Sequence, residues 1–315
     1  MSLKKTHVII NPASGGGKTR KNQDKILNYL DRYFANRYSL CVTQKPLDAS
    51  VSAKQAIMAG CELIIAVGGD GTIQETVNGF FADGLSINPD CHLGIVNCGT
   101  GQGFARSLGL PTGLDRQLDI VSSGKSRLID IGKIVFSTGK GEQKERYFVN
   151  ECQAGIGGEV VKSVQSKHKR LGGRLAFGLS SLSKIFSYPN REITVEIDKK
   201  PGITQLFTGV VIANGNSMAG GMSLTPGAKV DDRFLDILLI LGQSILQRLR
   251  NFPKIYSGKH VTLPKFNCCR GKNIKLYSKE PVLVEADGEL LGFLPCQVEV
   301  LPAAIKVKSS NPGIL

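Results

Sequence analysis

The stretch that most constrains this chain is Val67-Gly68-Gly69-Asp70-Gly71-Thr72. The apolar run 63–67 precedes it and is typical of a buried strand, whereas residues 72–80 have the pattern of a helix. A strand, a glycine turn and a helix N-terminus suit a phosphate, because backbone N–H groups and the helix dipole both favour an anion there. Asp70 would repel a phosphate directly, so the turn predicts an intervening metal ion or proton, and hence phosphoryl transfer.

The first 125 residues alternate between strand and helix patterns. We expect strands at 7–11, 38–43, 63–67 and 92–97, and helices at 18–33, 49–59 and 72–80. This order predicts an α/β domain with a mostly parallel sheet and helices on both of its faces. Three glycine-rich turns, at 11–17, 68–72 and 99–103, each follow a strand. Because ligands of such sheets bind beyond the carboxyl ends of the strands, we expect the three turns to converge on one edge.

From about residue 126 strand-like alternation dominates. We expect strands at 191–198, 206–213, 234–241, 273–277, 281–285 and 297–301. Ile193, Val195 and Ile197 would share one face of the first of these strands. The pattern predicts an antiparallel sheet or sandwich, with one helical exception at 159–187. No linker separates the two halves, so we expect them to touch and to form a cleft.

Composition narrows the range of partners. The net charge of +14 would suit nucleic acid, anionic lipid or phosphorylated small molecules. Zinc-finger spacing, a basic helix with heptads and aromatics interleaved with basic residues are all missing, so nucleic acid is not expected. The eight cysteines are scattered without a Cys-x-x-Cys pair, which indicates a reducing, cytoplasmic setting. Apolar runs fall well short of the roughly 20 residues that a transmembrane helix needs.

Three further segments each allow two interpretations. Asp287-Gly288-Glu289 follows a strand and, from its residues alone, is best read as a hairpin turn. The segment from Lys229 to Phe234 could be a turn, or its paired carboxylates could hold a hard cation together with backbone oxygens. The basic segment Lys162–Arg174 could be a solvated helix face or a surface that docks on anionic membrane. The residues alone favour neither interpretation of the basic segment.

Taken together, the motifs resemble the diacylglycerol-kinase catalytic-domain family, which includes bacterial diacylglycerol kinases and sphingosine kinases. The resemblance runs from about residue 5 to 305 and is most specific at Gly68-Gly69-Asp70-Gly71-Thr72-x-x-Glu75-x-x-Asn78-Gly79. Asn11-Pro12-x-Ser14-Gly15-Gly16 matches the family's opening turn, and Gly99-Thr100-Gly101 resembles its third motif. Asp287-Gly288-Glu289 matches its carboxyl-end catalytic turn, which reverses the interpretation of that segment as a simple hairpin.

The resemblance implies a nucleotide-binding α/β domain (1–125, joined by 302–315), followed by a β-sandwich lipid-substrate domain (126–301). The active site would lie in the cleft between the two domains. ATP would lie at the three glycine turns. The residues implied to bind it are Asn11, Ser14, Gly15, Gly16, Thr43, Gly68, Gly69, Gly71, Thr72, Gly99 and Thr100.

The resemblance also assigns chemical roles. Asp287 would be the base for the lipid hydroxyl, while Asp70 and Glu289 would hold Mg²⁺ directly or through water. Asp232, with the backbone carbonyls of Lys229 and Phe234, would hold a structural metal. The family's third motif usually continues with Asn-Asp, where this chain has Gln102-Gly103. The missing aspartate removes a carboxylate that joins the metal network of bacterial diacylglycerol kinases.

The expected activity is therefore ATP-dependent phosphorylation of a membrane lipid, diacylglycerol or a related one, by a cytoplasmic protein in transient contact with the membrane. Two alternatives stay open. NAD kinases share the Gly-Gly-Asp-Gly signature, although the Asp-Gly-Glu turn fits lipid kinases better. A non-catalytic lipid- or nucleotide-binding regulator is motivated by Gly103. A homodimer is also left open.

Overall fold

The structure is a computed structural model that describes residues 5–35, 37–123, 125–139, 141–168, 173–218 and 221–310. The chain divides into two compact units. Unit 1 comprises 1–130 and 302–315, and unit 2 comprises 131–301. None of the helices in the described ranges combines the length and hydropathy that crossing a bilayer requires.

Unit 1 is built around a parallel sheet. Its strands are β1 (Thr6–Ile10), β2 (Tyr38–Val42), β3 (Leu63–Gly68) and β6 (His92–Asn97), with a short hairpin of β4 (Phe81–Ala82) and β5 (Leu85–Ser86). β1 pairs in parallel with β2 and β3, and β3 pairs in parallel with β6. The helices of this unit are α1 (Lys18–Lys21), α2 (Gln23–Phe34), α3 (Asp48–Met58), α4 (Asp70–Asn78), α5 (Gly103–Ser107) and α6 (Leu114–Ser123).

Strands β1, β3 and β6 are buried on both faces, as is usual in a parallel sheet, whereas edge strand β2 is partly exposed. On one face, alternate residues of β1 and β3 pack against Ile26 and Leu30 of α2 and Leu118 of α6. The helix expected at 18–33 is interrupted at Asn22, which has φ −100° and ψ 4° and separates α1 from α2. The helix expected from residue 72 begins earlier, at Asp70, because extended Gly69 precedes it and an acidic side chain suits the first helical turn.

Unit 2 is largely antiparallel. Its strands and those that enter it are β7 (Lys125–Ser137), β8 (Gln143–Phe148), β9 (Glu151–Gly155), β10 (Arg191–Ile197), β11 (Ile203–Ala213), β12 (Leu235–Leu241), β13 (Phe266–Gly271), β14 (Asn273–Tyr277), β15 (Leu283–Ala286) and β16 (Glu289–Ser309). Long β11 pairs with β10 along its first half and with β9 along its second. Its pairing with β12 has a register shift between Phe207 and Gly209. The predicted face of β10 is confirmed, since Ile193 and Val195 are buried in the core and Ile197 packs against it.

The expectation of a single helical stretch in the second half was wrong. The structure has α7 (Ile156–Ser163), α8 (Gly173–Ser187) and a further helix, α9 (Ile245–Tyr256). α9 begins with a capping box in which Ser244 and Gln247 each bond to the other's backbone N–H. This Ser-x-x-Gln spacing is a readable start signal, but Pro253 inside the helix interrupts the helical pattern.

Gly132 of β7 offers a direct test of packing in unit 2. It pairs with Phe148 of β8, and a Cβ added at Gly132 would lie 2.0 Å from the buried Phe148 ring. We expect Gly132→Ala to lower the free energy of unfolding by about 1–3 kcal/mol, because the ring must leave its position. Denaturant unfolding measures the change.

The matched control for this test is Gly178→Ala in α8, where an added Cβ meets nothing within 4 Å. There alanine should stabilise the helix by up to about 1 kcal/mol. Equal midpoints for the two variants would contradict the packing argument.

Candidate active site

The three glycine turns of unit 1 lie side by side at the carboxyl ends of β1, β3 and β6. The N–H of Asn11 donates to the Val67 carbonyl at 2.9 Å, and the N–H of Cys98 donates to the Gly68 carbonyl at 2.7 Å. The approach is close: a Cβ at Gly99 would lie 2.7 Å from the Cα of Gly69. At Gly15, where φ is +63°, a Cβ would lie 2.3 Å from the Cys98 carbonyl oxygen. The turns thus form one glycine-lined rim.

Polar side chains connect the first two turns across this rim. The Asn11 amide donates to Thr72 Oγ1 at 2.9 Å and accepts from the Ala13 N–H at 3.1 Å. Ser14 Oγ lies beside Gly69, 3.0 Å from where a Cβ of that residue would stand. These contacts fix the backbone of the two turns relative to each other.

The remaining residues that were predicted to bind the nucleotide lie at the same end of the sheet, after β2 or in the glycine turns. The N–H of Thr43, just after β2, donates to the Ile10 carbonyl at 2.9 Å and so extends the ladder between β1 and β2. Gly16 and Gly71 have open space where a Cβ would stand, and Thr100 is exposed. The rim therefore offers a surface open to a ligand beside its close-packed glycines.

Asp70 is the carboxylate of this rim. It is the first residue of α4, and its oxygens accept from the Asn97 amide at 3.4 Å and from the Gly103 N–H at 3.2 Å. Burial raises the pKa of Asp70 above its ordinary value, while the N–H groups of Gly103 and Phe104 act in the opposite direction. A cation beside this partly desolvated carboxylate would favour its ionised form, so Asp70 fits a Mg²⁺ that is also held by phosphate oxygens.

Gly103 shows what replaces the aspartate that the family's third motif usually has. α5 begins at this residue, after Gln102 with φ +53°, and the Gly103 N–H points to the Asp70 carboxylate. At this position the chain thus supplies a backbone donor to Asp70 and no second carboxylate. Asp70 is oriented by neutral groups, namely this N–H and the Asn97 amide.

Asp287 occupies a tight hairpin in unit 2, between β15 and β16. Asp287 and Gly288 have φ +48° and +82°, as the two central residues of a type I′ turn do. The Asp287 carboxylate accepts the backbone N–H groups of Val149, Asn150 and Glu151 at 2.8, 3.0 and 3.1 Å. The side chain is therefore held in one orientation by three backbone donors.

Glu289, the third residue of this turn segment, forms an ion pair. Its Oε2 lies 2.6 Å from Arg146 Nη2 on β8. Because the charge of Glu289 is already balanced by this arginine, nothing in its surroundings calls for a metal ion. Its assignment as a magnesium ligand remains a prediction.

Two buried carboxyl groups beside Asp287 were not anticipated from the sequence. Glu151 on β9 and Glu285 on β15 are 7% and 1% exposed, and their side chains hydrogen-bond to each other. Burial, followed by the charge of Asp287, raises the pKa of Glu151 to about 8. Burial and neighbouring Glu151 raise the pKa of Glu285 well above its ordinary value. Two acidic residues at buried strand positions are the signal that could have revealed this proton-sharing pair.

The predicted structural metal loop contains an arginine. Asp232 Oδ2 lies 3.1 Å from Arg270 Nη1, and Arg270 Nε lies 3.2 Å from Asp236 Oδ1. Asp232 Oδ1 also accepts the Phe234 N–H at 3.2 Å. Within the described ranges, no three His, Cys, Asp or Glu side chains cluster as metal ligands. A guanidinium thus already compensates Asp232, and a metal held with the Lys229 and Phe234 carbonyls remains a prediction.

Unit 2 also contains an apolar cavity that sequence analysis did not anticipate. Its accessible volume is about 100 Å³, and the cavity opens to solvent. Val160 and Val161 of α7, Ile240 of β12 and Phe252 of α9 are among its apolar lining residues. Gln243, Arg248 and Glu285 supply polar atoms to the wall. The lining is that of a site for a largely apolar small molecule.

The basic segment Lys162–Arg174 lies only in part within the described residues. Lys162, in the last turn of α7, is exposed. Residues 169–172 lie outside the described ranges. Membrane docking through this segment therefore remains a prediction.

Two family models match successive parts of the chain. The diacylglycerol kinase catalytic domain model matches residues 5–134, and the YegS C-terminal NAD kinase beta sandwich-like domain model matches 150–309. A diacylglycerol kinase from Bacillus subtilis (strain 168) is 30% identical over 296 residues, which cover 93% of this chain and 92% of that protein.

Solved structures show the same fold. A chain from Bacillus anthracis str. Sterne that is assigned as a diacylglycerol kinase superposes with a TM-score of 0.80 at 25% identity, covering 100% of both chains. Yeast NADH kinase, complexed with NADH, superposes with a TM-score of 0.56 at 12% identity, covering 99% of this chain and 85% of its own. The second likeness shows a shared fold alone.

Proposed function

The chain belongs to the diacylglycerol kinase catalytic-domain family and is a phosphotransferase of the kinase type; from this premise we propose that it transfers the γ-phosphoryl group of ATP to a hydroxyl of a membrane lipid, diacylglycerol or a related one. The observation that favours a lipid acceptor over a dinucleotide is the largely apolar lining of the unit 2 cavity. Transfer of a hydrocarbon chain from water into such a lining lowers the free energy, whereas a dinucleotide needs polar partners.

In this proposal the glycine rim binds ATP. The N–H groups of the turns and the N-terminus of α4 contact the phosphates, and Asp70 holds Mg²⁺ directly or through water. A Mg²⁺ ion held there would supply positive charge that stabilises the negative charge developing on the transferred phosphoryl group. Because Asn97 and the Gly103 N–H already orient the Asp70 carboxylate, the metal would meet a preset ligand.

Asp287 acts as the general base. As the lipid hydroxyl attacks the γ-phosphorus, the O–P bond to the acceptor forms and the bond to the ADP oxygen breaks. The hydroxyl proton moves to an Asp287 carboxylate oxygen. The three N–H donors from Val149, Asn150 and Glu151 hold that carboxylate in place. Contact with anionic membrane through Lys162–Arg174 would bring the acceptor to the protein.

The test is ADP release with ATP and Mg²⁺ against mixed micelles. The panel holds diacylglycerol, monoacylglycerol, phosphatidylglycerol, sphingosine and ceramide, with NAD in solution. Turnover on a lipid that is lost in Asp287→Asn establishes the kinase and names its acceptor. Turnover on NAD alone overturns the proposal in favour of a NAD kinase-like enzyme. ATP binding without turnover on any acceptor would instead favour a regulatory protein.

Gly15→Ala should weaken ATP binding by about tenfold or more. The new Cβ would lie 2.3 Å from the Cys98 carbonyl oxygen and force the opening turn away from the third turn. Loss of even one or two phosphate hydrogen bonds, each about 1.5–3 kcal/mol with a charged partner, is sufficient for this effect. Isothermal titration calorimetry with ATP measures it.

Gly17→Ala is the matched control, because Gly17 also has a positive φ, +87°, but open space around its Cβ position. This variant carries the same backbone penalty without the clash. If both variants bind ATP with equal affinity, the contact between the two turns does not shape the nucleotide site.

A further inference from the structure

One wall of the unit 2 cavity carries two buried donor side chains, Gln243 and Arg248. They are 3% and 7% exposed and both line the cavity. Gln243 lies between β12 and the cap of α9, and Arg248 lies one turn into that helix. The start of α9 therefore determines where both side chains stand.

A polar network holds these two side chains in place. Arg248 Nη1 donates to the carbonyl oxygens of Ile185 and Tyr188 at the end of α8, and its Nη2 donates to Asn190 Oδ1 at 2.6 Å. Gln243 Oε1 accepts from the Asn251 amide at 3.2 Å. Their orientation is thus fixed without a bound ligand.

One donor on each side chain remains unused. Among the described residues, Gln243 Nε2 and Arg248 Nε have no hydrogen-bond partner although both atoms are buried. None of the ion pairs formed in the described part of the chain involves Arg248. A buried donor left unsatisfied costs about 1–3 kcal/mol. Burial also lowers the pKa of Arg248, which reflects a cation deprived of solvent.

Two unused donors in an apolar cavity would be matched by an acceptor oxygen on an otherwise apolar molecule. Glu285, the carboxyl group that also lines the cavity, does not supply this acceptor to the donors, because it shares a hydrogen bond with Glu151 and accepts the Gly288 N–H at 3.0 Å. The Thr208 hydroxyl is likewise engaged, since it accepts the Gln243 N–H at 3.2 Å and donates to Asn190 Oδ1 at 2.9 Å. Neither of these two side chains therefore supplies an acceptor to the unused donors.

We propose that this cavity recognises a fatty acyl group, and that Gln243 Nε2 and Arg248 Nε donate to its acyl oxygen, either an ester carbonyl or a carboxylate. The proposal rests on the proposed function in taking this acyl group to be part of the lipid acceptor. It predicts ester-linked glycerolipids as substrates and disfavours sphingoid bases, whose ammonium group is a cation and whose chain carries no carbonyl. An acyl oxygen would satisfy both donors and neutralise or screen the buried guanidinium.

The experiment is calorimetric titration of the full-length protein with decanoate, methyl decanoate and decylamine. We expect the two acyl compounds to bind. Decylamine should bind with an affinity at least about tenfold lower, which corresponds to about one lost buried hydrogen bond. Stronger binding of the methyl ester indicates an esterified acyl group as the source of the acceptor, and stronger binding of decanoate indicates a free fatty acid. Equal binding of all three compounds overturns the proposal.

Gln243→Glu tests the donor itself, since it replaces the amide donor by an oxygen of nearly the same shape. We expect decanoate affinity to fall by about tenfold or more because two carboxylates would face each other. Gln247→Glu is the matched control: it makes the same change on the same helix at an exposed position, and glutamate also serves in a capping box. An unchanged decanoate affinity in Gln243→Glu overturns the role of this side chain.

The two proposals fail in different ways. If no lipid in the micelle panel is phosphorylated but decanoate still binds through Gln243, the kinase proposal fails and the acyl site stands. If lipids are phosphorylated but Gln243→Glu turns over sphingosine and diacylglycerol in the wild-type ratio, the acyl site fails and the kinase stands.

Discussion

Asp287→Asn is expected to lower kcat for lipid phosphorylation by about two to four orders of magnitude, the usual contribution of a positioned base. The same change should lower the free energy of unfolding by about 1–3 kcal/mol. In the wild type the N–H of Val149 donates to one carboxylate oxygen, whereas those of Asn150 and Glu151 donate to the other. An asparagine amide can accept from one of these sets only, and its NH₂ group opposes the other.

The two effects are separable by measurement. Denaturant unfolding gives the stability change. Initial rates at saturating ATP, measured at a temperature well below the unfolding transition, give kcat. Glu289→Gln is the control on the same turn segment, because it removes a partly exposed ion pair with Arg146 and should change stability by only about 0–1 kcal/mol. If Asp287→Asn loses stability but keeps wild-type kcat, the carboxylate is a backbone anchor and the base lies elsewhere.

Glu151→Gln is expected to make the protein more stable at alkaline pH. The pKa of Glu151 is raised from 4.5 to about 8 in the folded protein. Between these values the folded state binds more protons than the unfolded state, so the free energy of unfolding falls as pH rises, by at most about 1.4 kcal/mol per pH unit. Glutamine keeps a hydrogen bond to Glu285 without a titrating proton.

The measurement is denaturant unfolding of both proteins from pH 5 to pH 9. The variant should match the wild type near pH 5 and exceed it increasingly towards pH 8, above which the difference levels off because Glu151 is then ionised in both states. Glu192→Gln, at an exposed position of β10, should follow the wild-type curve. Parallel curves for wild type and Glu151→Gln would show that Glu151 carries no raised pKa.

The sequence predicted those parts of the fold that local patterns determine. The strand at 92–97 and the strand at 273–277 were confirmed at both ends, because apolar alternation and flanking turn residues agree there. The glycine turns meet as expected, since each directly follows a strand of unit 1. The strand edges were less exact, and β11 begins at Ile203, three residues earlier than expected, where its side chains are exposed.

The rest depended on tertiary contacts. The start of α9 was readable in the Ser244–Gln247 capping box, but Pro253 concealed the helix. The proton-sharing contact of Glu151 and Glu285 could not be foreseen, because the two residues meet only through the pairing of β9 with β15. The same holds for the cavity wall. Which donor atoms of Gln243 and Arg248 stay without a partner depends on tertiary contacts, such as the bond from Arg248 to Asn190.

Strand β16 has a consequence for the order in which the protein can mature on the ribosome. Its last part belongs to unit 1, where Lys306 and Val307 pair with the first residues of β6. Until these late residues leave the ribosome, one edge of the nascent sheet lacks its neighbour and could pair with another chain. A protein truncated after residue 134, where the catalytic domain match ends, would keep that open edge permanently and should aggregate.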